Sequence, residues 1–218
     1  MTTRPNLQTL GFTRQEQALF RRLDTPGKIQ SFVSALPHNF EEDGDSCMSV
    51  REVLRTNRAH CIEAALLAAL ALAVHGHEPL IMDLSANEHD DDHVIALFRH
   101  NGLWGAISKS NHAVLRYRDP IYRTPRELAL SYVHEYTNAK GEKTLRSYSR
   151  PISLSRIPLS VWATGLDAWT VAEATCTARH YTLFPHSTSL RPLDAVQLRA
   201  QEITEHVRSK GKAHLRTS

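Results

Sequence analysis

The N-terminal part of the chain shows the apolar spacing and the start signals of helices. Residues 13–23 have the pattern of an amphipathic helix. A second helix is expected after Thr25, a favourable N-cap, with Pro26 at the first helical position. Ser49 and Glu52 have the spacing of a capping box, so a third helix is expected to begin there.

The next stretch is apolar on every side. Residues 62–74 are apolar except for Glu63, and they predict a helix from about His60 to Val74. A helix without a polar face has to be covered all round, here by a sheet on one side and by the flanking helices on the other. The stretch is too short to cross a bilayer. Cys61 lies at the N-terminal end of this helix.

Beyond this helix the apolar period shortens to that of strands. Strands joined by a polar loop and a tight turn are expected at residues 80–84, 93–99 and 103–108. A further strand over 144–154 is expected at a sheet edge, because Pro151 has no N–H for a ladder. Helices are expected over 124–136, near 167–177 and near 192–209. Helices, then a short antiparallel sheet, then helices indicate an α+β fold.

Composition narrows the class of protein. With 218 residues, 41% of them hydrophobic and 22% charged, the chain is expected to form a single domain over 1–218. The formal net charge of +3 comes without a basic patch interleaved with aromatic residues, so no nucleic-acid partner is expected. Without a signal-peptide pattern or a membrane span, a cytoplasmic location is expected. The basic segment 209–218 is expected to be a flexible tail.

The cysteines indicate a catalytic nucleophile rather than a set of disulfide bonds. Three cysteines at wide spacing do not form a disulfide framework, and Cys47 and Cys176 have no evident partners, although Cys47 can line the same cleft as Cys61. A thiol at a helix N-terminus is stabilised as a thiolate, and the free N–H groups there can hold an oxyanion. A cysteine nucleophile also needs a base, and His93, at the start of the second strand, is the candidate.

These residues resemble the transglutaminase-like superfamily. Cys61 opens an alanine-rich apolar helix, His93 opens a strand, and a hairpin containing Trp104 follows. The resemblance covers about residues 45–125. It implies a papain-like α+β core in which the central helix, with its N-terminal cysteine, packs on the short antiparallel sheet, flanked by helical extensions over 1–44 and 126–218. Members of the family use a Cys–His–Asp triad for acyl transfer and for hydrolysis of peptide or amide bonds.

Carried over residue by residue, the resemblance implies that Cys61 is the nucleophile and His93 the general base. Where the family usually has its aspartate, this sequence has Ser108. Asn111 lies close by and can orient an imidazole, as an asparagine does in papain-like enzymes. Asp119 keeps the family's Asp-Pro pair but comes later in the chain. The residues expected to contact the substrate are His60, Asp92 and Trp104.

Three functions remain open on the sequence. The first is a cysteine hydrolase or acyltransferase that acts on a peptide or protein amide bond and needs no cofactor; hydrolysis is favoured because nothing indicates a calcium-regulated cross-linker. The second is a binding module that has lost catalysis, since the aspartate is replaced. The third is a metal-dependent hydrolase in which His89, Asp91 and His93 converge, because alternate side chains of an extended segment share a face.

Overall fold

Helices form one layer of the structure. The computed structural model describes residues 4–42, 44–201, 206–209 and 212–215. The first helices are α1 (Arg14–Arg22), α2 (Pro26–Ala35) and α3 (Val50–Thr56). The starts predicted at Thr25 and Ser49 are confirmed, since each of these side chains accepts a backbone N–H from the first turn of its helix.

A seven-stranded antiparallel sheet forms the second layer, and it is larger than the short sheet expected. Its strands are β1 (Leu80–Ala86), β2 (His93–His100), β3 (Leu103–Ile107), β4 (Arg118–Tyr122), β5 (Leu145–Ser149), β6 (Ile152–Ser153) and β7 (His180–Thr182). The order is β4-β3-β2-β1-β5-β7, and β6 also pairs with β1. The turn from β2 to β3 places Asn101 and Gly102 at φ of 49° and 82°, the left-handed conformation that a tight hairpin turn requires.

The central helix α4 (Cys61–Val74) is buried between the two layers. It packs against β2 and β1 on one side and against α1, α2 and α3 on the other, as its uniformly apolar sequence predicted. Every residue from Ile62 to Ala73 is buried, including Glu63. Among the residues that the structure describes, no helix is long and apolar enough to span a membrane.

The opposite face of the sheet carries a second apolar cluster. Helix α5 (Pro125–Leu130) and the turn after it bring Leu128, Tyr132 and Tyr136 onto this face, against Ile95 and Leu97 of β2. The remaining elements are α6 (Leu159–Trp162), α7 (Trp169–Thr177), α8 (Ala195–Gln201), β8 (His206–Ser209) and β9 (Lys212–Leu215). Strands β8 and β9 pair with each other in antiparallel orientation.

Two predicted boundaries were wrong. The helix expected over 124–136 ends at Leu130, because the Ser131 hydroxyl donates to the Leu128 carbonyl at 2.6 Å and competes with the helical hydrogen bonds. The helix expected near 192–209 covers only α8, since 206–209 is a strand paired with 212–215. Of this helix, residues 202–205 lie outside the described part of the chain. The same holds for 210, 211 and 216–218 of the expected tail.

The strand expected at an edge is an interior strand. β5 lies between β1 and β7, while Pro151 falls after its end, where no ladder hydrogen bond is lost. Strands β5, β6 and β7 all come from the segment expected to be a helical extension. This segment therefore contributes to the sheet as well as to the helices around it.

Candidate active site

Cys61 is the first residue of α4, and the core fixes its position. Because the helix is buried from Ile62 to Ala73, it cannot shift without disturbing the packed interior. The N–H groups in the first turn of a helix have no intrahelical acceptor and carry partial positive charge. The partly exposed Cys61 thus lies at a rigid, electropositive point that solvent can reach.

His93 faces Cys61 from the first position of β2. Its Nε2 lies 2.7 Å from Ser108 Oγ, and the Ser108 hydroxyl in turn donates to the Leu115 carbonyl at 2.7 Å. A hydroxyl has a single proton, so Ser108 accepts the N–H of His93 Nε2. His93 acts on the nearby Cys61 by lowering the pKa of its thiol, and Nδ1 is the ring nitrogen that Ser108 leaves free for the sulfur. Cys61, His93 and Ser108 therefore lie together in the order of a catalytic triad.

Gln30 of α2 holds Ser108 by its backbone. Its Oε1 accepts the Ser108 N–H at 3.0 Å, and its Nε2 donates to the Ser108 carbonyl at 2.9 Å. These paired bonds replace the ladder partners that the chain loses where β3 ends at Ile107. The hydroxyl that orients His93 is thus fixed by a side chain from a distant helix.

A second imidazole lies beside the sulfur. His60 is the N-cap of α4, and its Nδ1 is 3.9 Å from Cys61 Sγ. Its Nε2 lies 2.9 Å from the Ser46 carbonyl and 3.3 Å from Glu63 Oε1. The Glu63 carboxylate is fully buried and also accepts the His60 backbone N–H at 2.9 Å. His60 is therefore held against both a thiol and a carboxylate.

These surroundings give the thiols of Cys61 and Cys47 very different pKa values. Burial raises the pKa of the Cys61 thiol, but the hydrogen bonds and positive charges of His60 and His93 outweigh it and lower that pKa to about 5. Burial and the nearby Glu63 carboxylate raise the pKa of Cys47 to about 12. At neutral pH Cys61 is thus a thiolate, whereas Cys47 keeps its proton.

Cys61 and His93 line a pocket with a volume of about 550 Å³. Its walls come from residues 38–41, 90–92 and 109–112, together with Tyr136 and Thr137. The first wall is anchored beside α4, because Asn39 N–H donates to the Ala59 carbonyl at 3.1 Å. The pocket is large enough for a few residues of an extended peptide or a small acyl donor.

The structure brings most of the predicted site residues together. The predicted residues that line the pocket are His60, Cys61, Asp92, His93 and Asn111. Ser108 is the hydrogen-bond partner of His93 Nε2. Asp119 is not brought to the site: it is exposed on the edge strand β4. Trp104 of β3 also lies outside the pocket, where Arg99 covers its ring at 4.8 Å.

Three residues at the site were not predicted. Gln30 gave no local signal, because its role depends on a contact across the fold. Glu63 did give one, since a lone carboxylate in a buried apolar helix needs a partner. Tyr136 packs edge-on against the His93 ring with centroids 6.4 Å apart, and its hydroxyl donates to the Asp91 carbonyl at 2.6 Å. It shields the imidazole and ties down the loop before β2.

The side chains of residues 88–93 do not converge on a metal position. His89 is exposed with its Nε2 3.7 Å from Glu88, Asp91 is exposed, and His93 is directed to Ser108. Within the described part of the chain, no group of three or more histidine, cysteine, aspartate or glutamate side chains is placed to hold a metal ion.

No protein-family model matches the chain, and no curated protein sequence matches it significantly. Function therefore has to be inferred from the geometry at Cys61 and from the chemistry that these residues can perform.

Proposed function

We propose that the protein is a cysteine hydrolase of the transglutaminase-like type, which cleaves an amide bond of a peptide or protein through Cys61 and His93. The observation that carries the proposal is the Cys61–His93–Ser108 triad at the end of a buried helix and at the mouth of an open pocket. A nucleophile, a base and a group that orients the base, placed together at a pocket, are the arrangement that nucleophilic catalysis needs.

The reaction begins with the thiolate of Cys61 and an imidazolium on His93. The sulfur attacks the amide carbonyl carbon, and the carbonyl oxygen becomes an oxyanion held by the N–H of Cys61 at the helix N-terminus. His93 gives its Nδ1 proton to the amide nitrogen, the C–N bond breaks, and the amine leaves. The product at this stage is a thioester on Cys61 with a neutral His93.

Hydrolysis of the thioester returns the enzyme to its starting state. His93 removes a proton from water, and the hydroxide attacks the thioester carbon. The tetrahedral intermediate collapses, the C–S bond breaks, and a carboxylic acid is released. Cys61 is again a thiolate and His93 an imidazolium. An amine that replaces water in this step would give acyl transfer instead of hydrolysis.

Ser108, the group that orients His93, is neutral, and this affects the catalytic rate that we expect. Ser108 accepts a hydrogen bond from His93 Nε2, as an asparagine side chain can, and fixes the tautomer that presents Nδ1 to the sulfur. It supplies no negative charge for the imidazolium. Catalysis is thus expected to depend on geometry more than on charge at this position.

Trapping of an acyl-enzyme tests the proposal. The protein is mixed with p-nitrophenyl acetate and with short peptide amides, quenched in acid, and each cysteine is followed by mass spectrometry. Acylation of Cys61 alone, with release over time, is the expected result. Cys61→Ala must abolish turnover without unfolding, whereas Cys176→Ala, at an exposed cysteine, must leave it unchanged. Turnover retained in Cys61→Ala would refute the proposal.

A binding module is the second candidate, and the replacement of the aspartate by Ser108 is the observation that favours it. In that case the pocket would bind a peptide without cleaving it. The lowered pKa of the Cys61 thiol weighs against this candidate, because a site that only binds a peptide does not need a thiolate. A peptide that binds equally to the native protein and to Cys61→Ala, and that is recovered intact from both, would support the binding module over the enzyme.

A further inference from the structure

The Glu63 carboxylate is held as an anion inside the protein. Its side chain is completely buried. It accepts hydrogen bonds from the backbone N–H groups of Met48 and His60, both at 2.9 Å, from the Ser46 hydroxyl at 2.9 Å, and from Asn39 Nδ2 at 3.1 Å. So many donors favour the ionised form, and a buried anion needs a positive partner nearby.

His60 is the cation placed to be that partner. Its Nε2 faces the Ser46 carbonyl at 2.9 Å and therefore carries a proton. The carboxylates that face the same nitrogen are Glu63 at 3.3 Å and Glu41 at 3.7 Å. The only route by which His60 can also donate to the sulfur is a second proton on Nδ1, 3.9 Å from Cys61 Sγ.

Positively charged groups near His60 do not prevent it from holding its second proton. His38, His93 and Lys109 are groups of like sign that line the same pocket as His60, and burial lowers the pKa of His38 to about 3, so it stays neutral. For His60 itself, burial lowers the pKa, but the hydrogen bonds to Cys61 and Glu63 outweigh this and raise it to about 11. The Glu63 carboxylate, the His60 imidazolium and the Cys61 thiolate thus form a chain of alternating charge.

His93 has a different environment. Its Nε2 contacts a hydroxyl, and the proton of that hydroxyl is committed to the Leu115 carbonyl. Ser108 therefore orients His93 but offers no carboxylate to hold a proton on it. The two imidazoles that flank the sulfur are built for different tasks.

We propose that His60, with Glu63 as its counter-ion, supplies the lasting positive charge that keeps Cys61 a thiolate, and that His93 is left to move the proton in each turnover. This inference rests on the proposed function, because it divides the work of that site between two histidines. His60 keeps its proton throughout the cycle, since Glu63 would otherwise be a buried anion without a counter-charge. Glu63 is a positioning residue that acts through His60.

Alkylation of Cys61 by iodoacetamide measures the thiolate without the need for a substrate. The alkylation rate at Cys61 is followed by mass spectrometry from about pH 5 to about pH 9. This range extends from the lowered pKa of Cys61 to the pKa of a free thiol. The test variants are Glu63→Gln, which keeps the shape and removes the charge, His60→Gln and His93→Ala. Glu52→Gln is the matched control, because Glu52 is also the third residue of a helix but pairs with Arg55.

In the native protein the alkylation rate should rise near pH 5, where Cys61 ionises. Glu63→Gln and His60→Gln should move this rise toward the ~8.5 of a free thiol and lower the rate at pH 6 by at least about tenfold. His93→Ala should lose amide and ester turnover but lower the alkylation rate at pH 6 by less than His60→Gln does, because proton transfer is lost while His60 still donates to the sulfur. Circular dichroism confirms that each variant is folded; if Glu63→Gln is not, His60→Gln against His93→Ala decides.

The opposite pattern overturns the inference. If His93→Ala moves the alkylation profile to that of a free thiol while His60→Gln does not, His93 supplies the charge, and the proposed enzyme still stands. If Cys61 of the native protein reacts no faster than Cys176 at pH 6, the sulfur is not activated. In that case the proposed function fails together with the inference.

Discussion

Ser108→Ala removes one oxygen atom that serves two contacts. The Ser108 hydroxyl accepts from His93 Nε2 and donates to the Leu115 carbonyl, both at 2.7 Å, and the residue is 1% exposed. Alanine fits the space but leaves a buried N–H and a buried carbonyl without their partner. Each such group costs about 1–3 kcal/mol, so we expect the free energy of unfolding to fall by about 2–6 kcal/mol.

The same substitution should slow catalysis at a specific step. Without its Nε2 contact the imidazole of His93 can rotate, and a misplacement of about 1 Å costs about 100-fold in rate. A p-nitrophenyl ester acylates a thiolate without needing a proton for its leaving group, whereas water attack on the thioester needs His93. The burst of p-nitrophenol from Ser108→Ala should therefore keep its amplitude, while the steady-state rate falls by about 100-fold.

Ser149→Ala provides the control. Ser149 is also fully buried, and its hydroxyl also makes two hydrogen bonds, to the Asp83 N–H and the Arg150 carbonyl, both at 2.9 Å. It lies outside the pocket at Cys61. This control should lose comparable stability and keep its steady-state rate. Equal steady-state rates in the two variants would refute the orienting role of Ser108 and leave it only a structural one.

Three further predictions concern stability, each measured by urea unfolding. Burial lowers the pKa of His38 from 6.5 to about 3, so below pH 6.5 the unfolded chain takes up a proton that the folded one does not. Stability should fall by about 2 kcal/mol from this residue between pH 6.5 and pH 5, and His38→Phe should abolish that share; an unchanged pH dependence would contradict this. Gly105→Ala places a Cβ 2.4 Å from a ring carbon of Phe98 and should lower the free energy of unfolding by about 1–3 kcal/mol. Gly27→Ala is the control and should leave it unchanged, because the space around Gly27 is open. Equal effects of the two substitutions would contradict this prediction. Asp83→Asn removes the carboxylate that His180 contacts at 3.0 Å across β5 and should lower the free energy of unfolding by about 1–3 kcal/mol. An unchanged urea midpoint would show that this pair does not stabilise the fold.

Local patterns predicted the elements that carry the site. The uniformly apolar run predicted a buried α4, and the change to a period of two predicted β1, β2 and β3 close to where they lie. These signals are local, because helix caps and strand alternation are set within a few residues. They were sufficient to place Cys61 at a helix start and His93 at a strand start.

The parts that were missed depend on contacts between distant segments. Nothing near residues 145–149 or 180–182 indicates that these strands extend the central sheet. Gln30 and Ser108 meet only because α2 packs beside the end of β3. Asp119 kept a familiar sequence pair, yet its strand is an exposed edge. Sequence neighbours alone do not report such long-range pairing.

The triad and its support are drawn from α2, α4, β2 and the segment after β3, so no early fragment of the nascent chain contains a complete site. While α4 is still unfolded, Cys61 is an ordinary thiol and its imidazole neighbours are dispersed. Turnover needs more than the sulfur, because His93 is oriented only when Gln30 and Leu115 have both reached their places beside Ser108. Catalytic turnover is therefore a late product of folding, and a chain that stops before the segment after β3 has no oriented base beside its cysteine.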